Sequence, residues 1–267
     1  MKVTGLFRYA LKSARGASLR EARLDAFGIE HDRRWAVLGE GGRVLTQRDC
    51  PKLATISARI TAEGIVLASA AGEVLHVLRP SNRGHGERVE IWDDTTTGLE
   101  AGREPAEWLS RLLGMSARLV YMPDAVERPV DPRFGRPGDR VGFADGYPLL
   151  LASESSLADL NGRLDTPVPM DRFRANLIVD GAAPFAEDSW AAIRVADVIF
   201  RVVKPCARCV VITVDQDTGS PGKEPLRTLA DFRKREGKVL FGQNLIHDGT
   251  GTLRLGDPVE VLETKPA

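Results

Sequence analysis

Two cysteines three apart, Cys206 and Cys209, stand behind Lys204-Pro205 and ahead of five consecutive β-branched residues, Val210 to Val214. Thiolates are soft nucleophiles and soft-metal ligands, so this segment is where the chain can do chemistry. β-Branched side chains are stiff at χ1 and pack well on pleated surfaces, which predicts a strand over 210–214. Asp215, Asp217 and Gly219 supply the turn chemistry that ends it. A thiolate at the mouth of a rigid strand suits a fixed metal ligand better than a mobile nucleophile.

Three other uses of the pair stay open on residue types alone. A structural zinc site needs two more ligands, and the remaining candidates are Cys50 and the scattered His31, His76, His85 and His247, none with paired ligand spacing. A redox dithiol normally sits at a helix N-terminus, whereas a strand is expected here. Two inert packed thiols are the third use. Because strand residues three apart point to opposite faces, Cys209 is expected to face a cavity while Cys206 packs elsewhere.

A second constellation is cationic. Lys12-Ser13 follows an apolar segment, Arg33 stands in Asp32-Arg33-Arg34-Trp35, and Arg174 and Asn176 stand ahead of a strand. An ammonium or guanidinium beside a hydroxyl can hold a phosphate, although each residue alone is an ordinary surface charge. Only 8 of the 37 basic residues are lysine, and arginine forks bind phosphate bidentately.

These groups need a scaffold, and the chain is long enough to build one. With 267 residues, 43% hydrophobic and 28% charged, it reads as one large or two modest globular domains. Formal net charge is zero, so no global field draws nucleic acid or an anionic membrane. No apolar run approaches the ~20 residues that span a bilayer, and Met1–Ser13 reads as a strand rather than a signal peptide. An odd count of three cysteines argues against a secreted disulfide scaffold and for the cytoplasm.

The first hundred residues read as short strands joined by turns. Trp35–Leu38 with Arg43–Thr46 and Ile56–Ile60 with Ile65–Ala68 are hairpin candidates, followed by Glu73–Leu78 and Arg88–Trp92. A helix is expected over Pro105–Leu113. Residues 124–146 carry three prolines, four glycines and four arginines, and predict a long ordered loop in which Phe134 and Phe143 find something to bury. Arg128, Arg133, Arg136 and Arg140 would gate a path to the site. Beyond it come a strand over Pro148–Ala152, a helix capped by Ser153, strands at Asn176–Val179 and Val198–Val203, and a helix over Leu226–Arg235. A hairpin, Gly251–Leu255 with Val259–Leu262, completes the chain. The fold class expected is mainly β: two barrel-like domains over 1–115 and 146–265, joined by a connecting or lid loop over 116–145.

Several segments together resemble the MOSC-domain proteins that carry an N-terminal MOSC β-barrel domain. They are LKS at 11–13, DRRW at 32–35, GYPLLLASESSLADLNGRL at 146–164 and FRANLIV at 173–179, then AEDSW ending at Trp190 and KPCARCVVITVDQDTG at 204–219. KEPLRTL at 223–229, LFGQN at 240–244 and LGDPVEVL at 255–262 complete a set that keeps its order over nearly the whole chain.

The resemblance implies a molybdenum-cofactor-dependent reductase of N-hydroxylated compounds such as amidoximes and hydroxylamines. It implies Cys209 as the metal ligand and Cys206 as structural. Lys12, Ser13 and Arg33 would hold the terminal phosphate of a molybdopterin-type cofactor, with Arg174 and Asn176 on the pterin or phosphate side. Asp145, Gly146 and Arg208 would line the same site. Three cysteines cannot make an iron–sulfur cluster, so electrons would come from a separate ferredoxin, flavoprotein reductase or cytochrome. The alternative within the resemblance is a non-catalytic carrier of the cofactor or of sulfur.

Overall fold

The computed structural model describes residues 1–81 and 86–266. Among the described residues the fold is mainly β, with four sheets and three α-helices. The expected His85 lies outside the described residues.

The largest sheet has nine strands. Its path runs Val259–Thr264, Trp190–Val195, Val198–Arg208, Lys238–Asp248, Leu149–Ser153, Leu177–Asp180, Lys2–Arg8 and Ala17–Leu19, with Lys234–Arg235 attached beside Lys238–Asp248. All neighbours are antiparallel except Leu149–Ser153 with Leu177–Asp180, which are parallel and joined through the helix Glu154–Asn161. Backbone bonds from Val3 N to Asp257 O and from Val259 N to Met1 O bring the two sides of this sheet together, closing it into a barrel. Leu6, Leu24, Leu151, Leu177, Phe200 and Leu245 fill its core. Closure removes the exposed edges through which an open sheet would pair with other chains.

Strands Trp35–Leu38, Arg118–Tyr121, Asp94–Glu100 and Gly86–Ile91 form the second sheet, and Ser57–Ile60, Gly64–Ala68 and Val74–Leu78 form a third. These two and the helix Arg103–Leu113 enclose a second core built on Leu11, Trp35, Leu53, Leu67, Leu109 and Leu119. Leu11 belongs to this core while Leu6 belongs to the barrel, so the chain crosses from one to the other just before Lys12. Strands Lys2–Arg8 and Glu21–Asp25 pair with strands of the C-terminal half, although they come first along the chain.

Several sequence expectations change here. Val210–Thr213 is a 3-10 turn, not a strand. The strand carrying Cys206 ends at Arg208, opposite Val239, and its neighbour begins at Lys238, so a continued strand would have no backbone partner. Instead Val214 N bonds Val211 O, Thr213 Oγ1 bonds Val210 O, and Ile212 is buried in a helix-covered core with Leu157, Leu229 and Phe241. Packing and hydrogen bonding override β-propensity.

Gly251–Arg254 and Val259–Thr264 are not a hairpin, because the first pairs with Glu21–Asp25 and the second with Trp190–Val195. Arg43–Thr46 is not a regular strand, but the turn-back expected there is present: Val44 bridges Leu38 antiparallel, Gly39 N bonds Arg43 O and Leu45 N bonds Val37 O, while Arg43 also bridges Glu90 and Trp35–Leu38 takes Arg118–Tyr121 as its ladder neighbour. The helix expected to reach Arg235 stops at Phe232, since Lys234–Arg235 turns through Glu236 and Gly237, both at positive φ, onto Lys238–Val239.

The loop over 124–146 is ordered by burial of Phe143, Val130 and Val141. Arg128 is not a gate: it is buried, and its guanidinium donates to Gly142 O, Ala144 O and Asp94. Arg136 pairs at the surface with Asp248, and Arg133 with Asp131.

Glu187, in the AEDSW segment, is fully buried, and Ser156 Oγ lies 2.7 and 2.9 Å from its two carboxylate oxygens. Burial pushes its pKa above the ordinary carboxyl range. A raised acid pKa gives stability that is fully present below the unfolded value and lost as pH rises through the folded one. Glu187→Gln keeps the partner and removes the buried charge. It is expected to raise the Tm at pH 8 more than at pH 5, read by scanning calorimetry at both.

Candidate functional site

Lys12 and Ser13 leave the crossover between the two cores. Lys12 N bonds Trp35 O, and Ala14 N bonds Leu11 O to complete a tight turn at Ser13. Ser13 (φ 66), Arg33 (φ 46) and Arg174 (φ 54) all hold the left-handed backbone that glycine favours. Each such residue costs about 1–3 kcal/mol, and such strain concentrates where a side chain must be aimed.

The surroundings fix all three. Gln47 Nε2 donates to Ser13 O, and Gln47 and Gln216 form a reciprocal buried amide pair. Arg33 N bonds Tyr9 O, while Phe143 N bonds Arg33 O. Arg174 Nη1 donates to Ala14 O at 2.7 Å, and Arg33 Nη2 to Arg174 O at 3.1 Å.

The Tyr9 ring lies between the guanidiniums of Arg33 and Arg174, at 4.5 and 4.4 Å from its centroid. Burial pushes the Tyr9 hydroxyl up to about 12, so the ring stays neutral between two cations. Asp32 balances them: buried, it accepts from Arg33, from Tyr9 N at 2.7 Å and from Asn176 Nδ2 at 3.1 Å. Asn176 Oδ1 in turn accepts from Arg33 Nη1 at 2.9 Å. Burial lowers Arg174 to about 10, which leaves it charged at neutral pH.

Lys12 is buried and pairs with Asp145, which the Arg128-anchored loop presents from the far side. Burial alone would lower Lys12 and raise Asp145. At Asp145 the ammonium, Arg48 and the Trp92 indole outweigh burial and hold the carboxyl well below the usual range, whereas at Lys12 burial outweighs Asp145 and the pKa is lowered. The Asp145 side chain is nevertheless 58% exposed, because it faces a cavity rather than packed protein.

That cavity has a volume of ≈ 300 Å³. All nine residues singled out in the sequence line it: Lys12, Ser13, Arg33, Asp145, Gly146, Arg174, Asn176, Arg208 and Cys209. Cys206 lines it too, against the expectation that it packs elsewhere. The thiol strand is irregular between Pro205 and Ala207, so strict alternation of faces fails there. Cys206 Sγ lies 2.9 Å from Arg208 Nη1, and Cys209 Sγ lies 3.0 Å from Arg48 Nη2.

Arg48, Thr46 and Lys204 also line the cavity. Arg48 had no distinguishing signal in the sequence, since its contact to Cys209 joins residues 161 apart. Asp32, Tyr9 and the Gln47–Gln216 pair were likewise invisible as a support network.

The donor set fits an anionic ligand that carries a soft metal. Arg174 Nη2 and Arg208 Nε are buried without a partner, and Asp145 is the sole carboxylate among the cavity's lining residues. Cysteine sulfur on the cavity wall suits a soft metal whose other ligands come with the cofactor. Among the described residues no group of three or more His, Cys, Asp or Glu side chains is placed to hold a metal by itself.

Comparison with known proteins agrees in extent. The family models described as "MOSC N-terminal beta barrel domain" and "MOSC domain" match residues 1–116 and 138–260. The chain is 36% identical to mitochondrial amidoxime-reducing component 1 of Mus musculus over 97% of its length and 82% of the relative. For the Homo sapiens protein of that name the identity is 35% with the same coverage. Molybdenum cofactor sulfurase of Oryza sativa subsp. japonica is 31% identical over 88% of this chain but 31% of its own.

Proposed function

This chain belongs to the family of MOSC-domain proteins with an N-terminal MOSC β-barrel domain, and from that premise we propose that it is a molybdenum-cofactor-dependent reductase of N-hydroxylated compounds, supplied with electrons by a separate redox partner. The observation that carries this reading is the convergence of the thiols, Cys209 among them, and a cluster of buried cations on a single cleft. The similarity to proteins named amidoxime-reducing components over nearly the whole chain supports this substrate class.

In this reading Lys12, Ser13, Arg33 and Arg174 hold the cofactor's terminal phosphate through charge-assisted hydrogen bonds, each contributing about 1.5–3 kcal/mol. Arg174 Nη2, otherwise unpartnered, gains an acceptor there. Asn176 fixes the Arg33 guanidinium, and the strained turns at Ser13, Arg33 and Arg174 keep the donors in place before anything binds. Gly146 and Arg208 line the same cleft and would face the bound cofactor. Cys209 is the protein's ligand to the metal, and Arg48 donates to its sulfur. When bound, the molybdenum cofactor supplies the two-electron chemistry that cleaves an N–O bond, two electrons and two protons releasing the oxygen as water. The donor belongs to the ferredoxin, flavoprotein or cytochrome class. The three free cysteines accord with a cytoplasmic setting, and no helix among the described residues is long and apolar enough to cross a membrane.

Protein made in a cofactor-competent host should hold about one molybdenum per chain and reduce benzamidoxime with a chemical electron donor. Resemblance to a molybdenum cofactor sulfurase supports a second reading, a carrier of cofactor or sulfur. Metal-free protein that takes sulfur label at Cys209 would favour that carrier over the reductase.

Lys12→Met tests the phosphate assignment. An apolar side chain of similar length should be tolerated in this buried place, whereas the anion loses its central ammonium. Molybdenum content is expected to fall at least about tenfold on gel filtration, the loss of one charge-assisted bond. Unchanged content would place the phosphate elsewhere.

A further inference from the structure

Trp92 sits at the tip of the hairpin formed by Gly86–Ile91 and Asp94–Glu100, at the first of two turn positions. Its φ is 56, where a tight hairpin turn takes glycine and a bulky side chain is a true outlier. It is also the largest exposed apolar side chain among the described residues, at 62%. The Arg48 guanidinium lies over the indole, 4.4 Å from the ring centroid, and the side chain is otherwise largely exposed. The same Arg48 donates to Cys209, so the indole is one side chain removed from the thiol.

A cavity of ≈ 460 Å³ adjoins the cofactor cleft and shares Asp145, Gly146, Tyr147 and Lys204 with it. Trp92 and Tyr147 both line this second cavity, giving it two aromatic walls. Asp145 lies between the two spaces. Its Oδ1 is taken by Lys12, but its Oδ2 approaches Arg48 only to 3.9 Å, beyond hydrogen-bond length. The Trp92 indole N–H also bears on this carboxylate, but its two oxygens offer about four acceptor sites, so capacity remains for a further N–H donor.

We infer that Trp92, with Tyr147 and Asp145 Oδ2, forms a substrate subsite that selects planar conjugated N-hydroxylated compounds over aliphatic ones. This rests on the reductase reading and adds its specificity. A flat amidoxime or hydroxylated heterocycle stacks on the exposed indole, and its amino N–H donates to Asp145 Oδ2. The N–O group is thereby directed past Arg48 toward the Cys209 end of the cleft. An aliphatic hydroxylamine has no plane to stack and gains nothing from the indole. The glycine-like backbone at Trp92 is the strain that keeps the ring over the cleft instead of folded onto its own sheet.

The test uses holoprotein reduced by a viologen, as wild type, Trp92→Ala and Trp92→Phe. kcat/KM is measured for benzamidoxime and for N-methylhydroxylamine, with molybdenum content determined in parallel. The ratio of the two is expected to fall about tenfold in Trp92→Ala through the benzamidoxime KM, and to return to within about threefold in Trp92→Phe. Equal losses for both substrates, an unchanged ratio, or an effect confined to the KM of the electron donor would overturn the subsite; the last would make Trp92 a partner-docking residue. If wild type reduces neither compound, the reductase reading itself fails. Calorimetric titration of benzamidoxime into the same proteins then decides the subsite alone: Kd about tenfold weaker in Trp92→Ala supports it, and equal or undetectable binding in wild type and variant refutes it.

Discussion

Cys209→Ala is expected to abolish benzamidoxime reduction and to strip molybdenum from the protein, while Cys206→Ala keeps most of both. The two thiols line one cavity, so proximity does not separate them. Their positions in the chain do. Cys206 lies within the strand, beside Arg208, whose guanidinium reaches back to its sulfur and to Phe173 O. Cys209 stands one residue past the strand end, its carbonyl accepting from Ile212 N to begin the 3-10 turn. That turn packs Ile212 and Val214 into the core and anchors the Cys209 backbone without occupying its side chain. Activity should fall at least about a thousandfold in Cys209→Ala, the scale of losing a group that acts at the reacting centre. Equal loss of metal from both variants would point to a dithiol site instead.

Arg33→Ala has the second largest expected effect, and it reaches the fold as well as the site. Asp32 is 3% exposed, and Arg33 supplies its counter-charge. Removing one partner of a buried ion pair costs about 3–5 kcal/mol, here offset in part by the bonds Asp32 keeps from Tyr9 N and Asn176. Urea unfolding of cofactor-free Arg33→Ala is therefore expected to show a loss on the order of 3 kcal/mol, with molybdenum retention lost too. Lys12→Met, by contrast, should lose the cofactor at little cost in stability, because Asp145 remains open to solvent in the cavity. A cofactor-free Arg33→Ala protein as stable as wild type would show that Asp32 does not depend on this guanidinium.

Nine of the residues that line the cleft could be picked out because the order of motifs over nearly the whole chain resembles one family, although no single motif is distinctive. Strands were readable where local pattern governs them, as at Trp35–Leu38, Ser57–Ile60 and Gly64–Ala68. Their partners were not. Gly251–Arg254 pairs with Glu21–Asp25 across almost the full length of the chain, and nothing local announces it. The Val210–Val214 run shows the limit most plainly: its residues favour a strand, but the neighbouring strand begins at Lys238 and leaves no backbone to pair with. Arg48 and Trp92 escaped notice for the same reason, since their significance comes from contacts with Cys209, Asp145 and each other. The positive φ at Ser13, Arg33 and Arg174 was hidden as well, because none of them is glycine.

Molybdenum-edge X-ray absorption on holoprotein tests the ligand assignment most directly. We expect wild type and Cys206→Ala to show the same number of sulfur neighbours around the metal, and Cys209→Ala, in whatever fraction keeps molybdenum, to show one fewer. The same sulfur count in all three proteins would mean that Cys209 does not bind the metal and would contradict the account of this cleft.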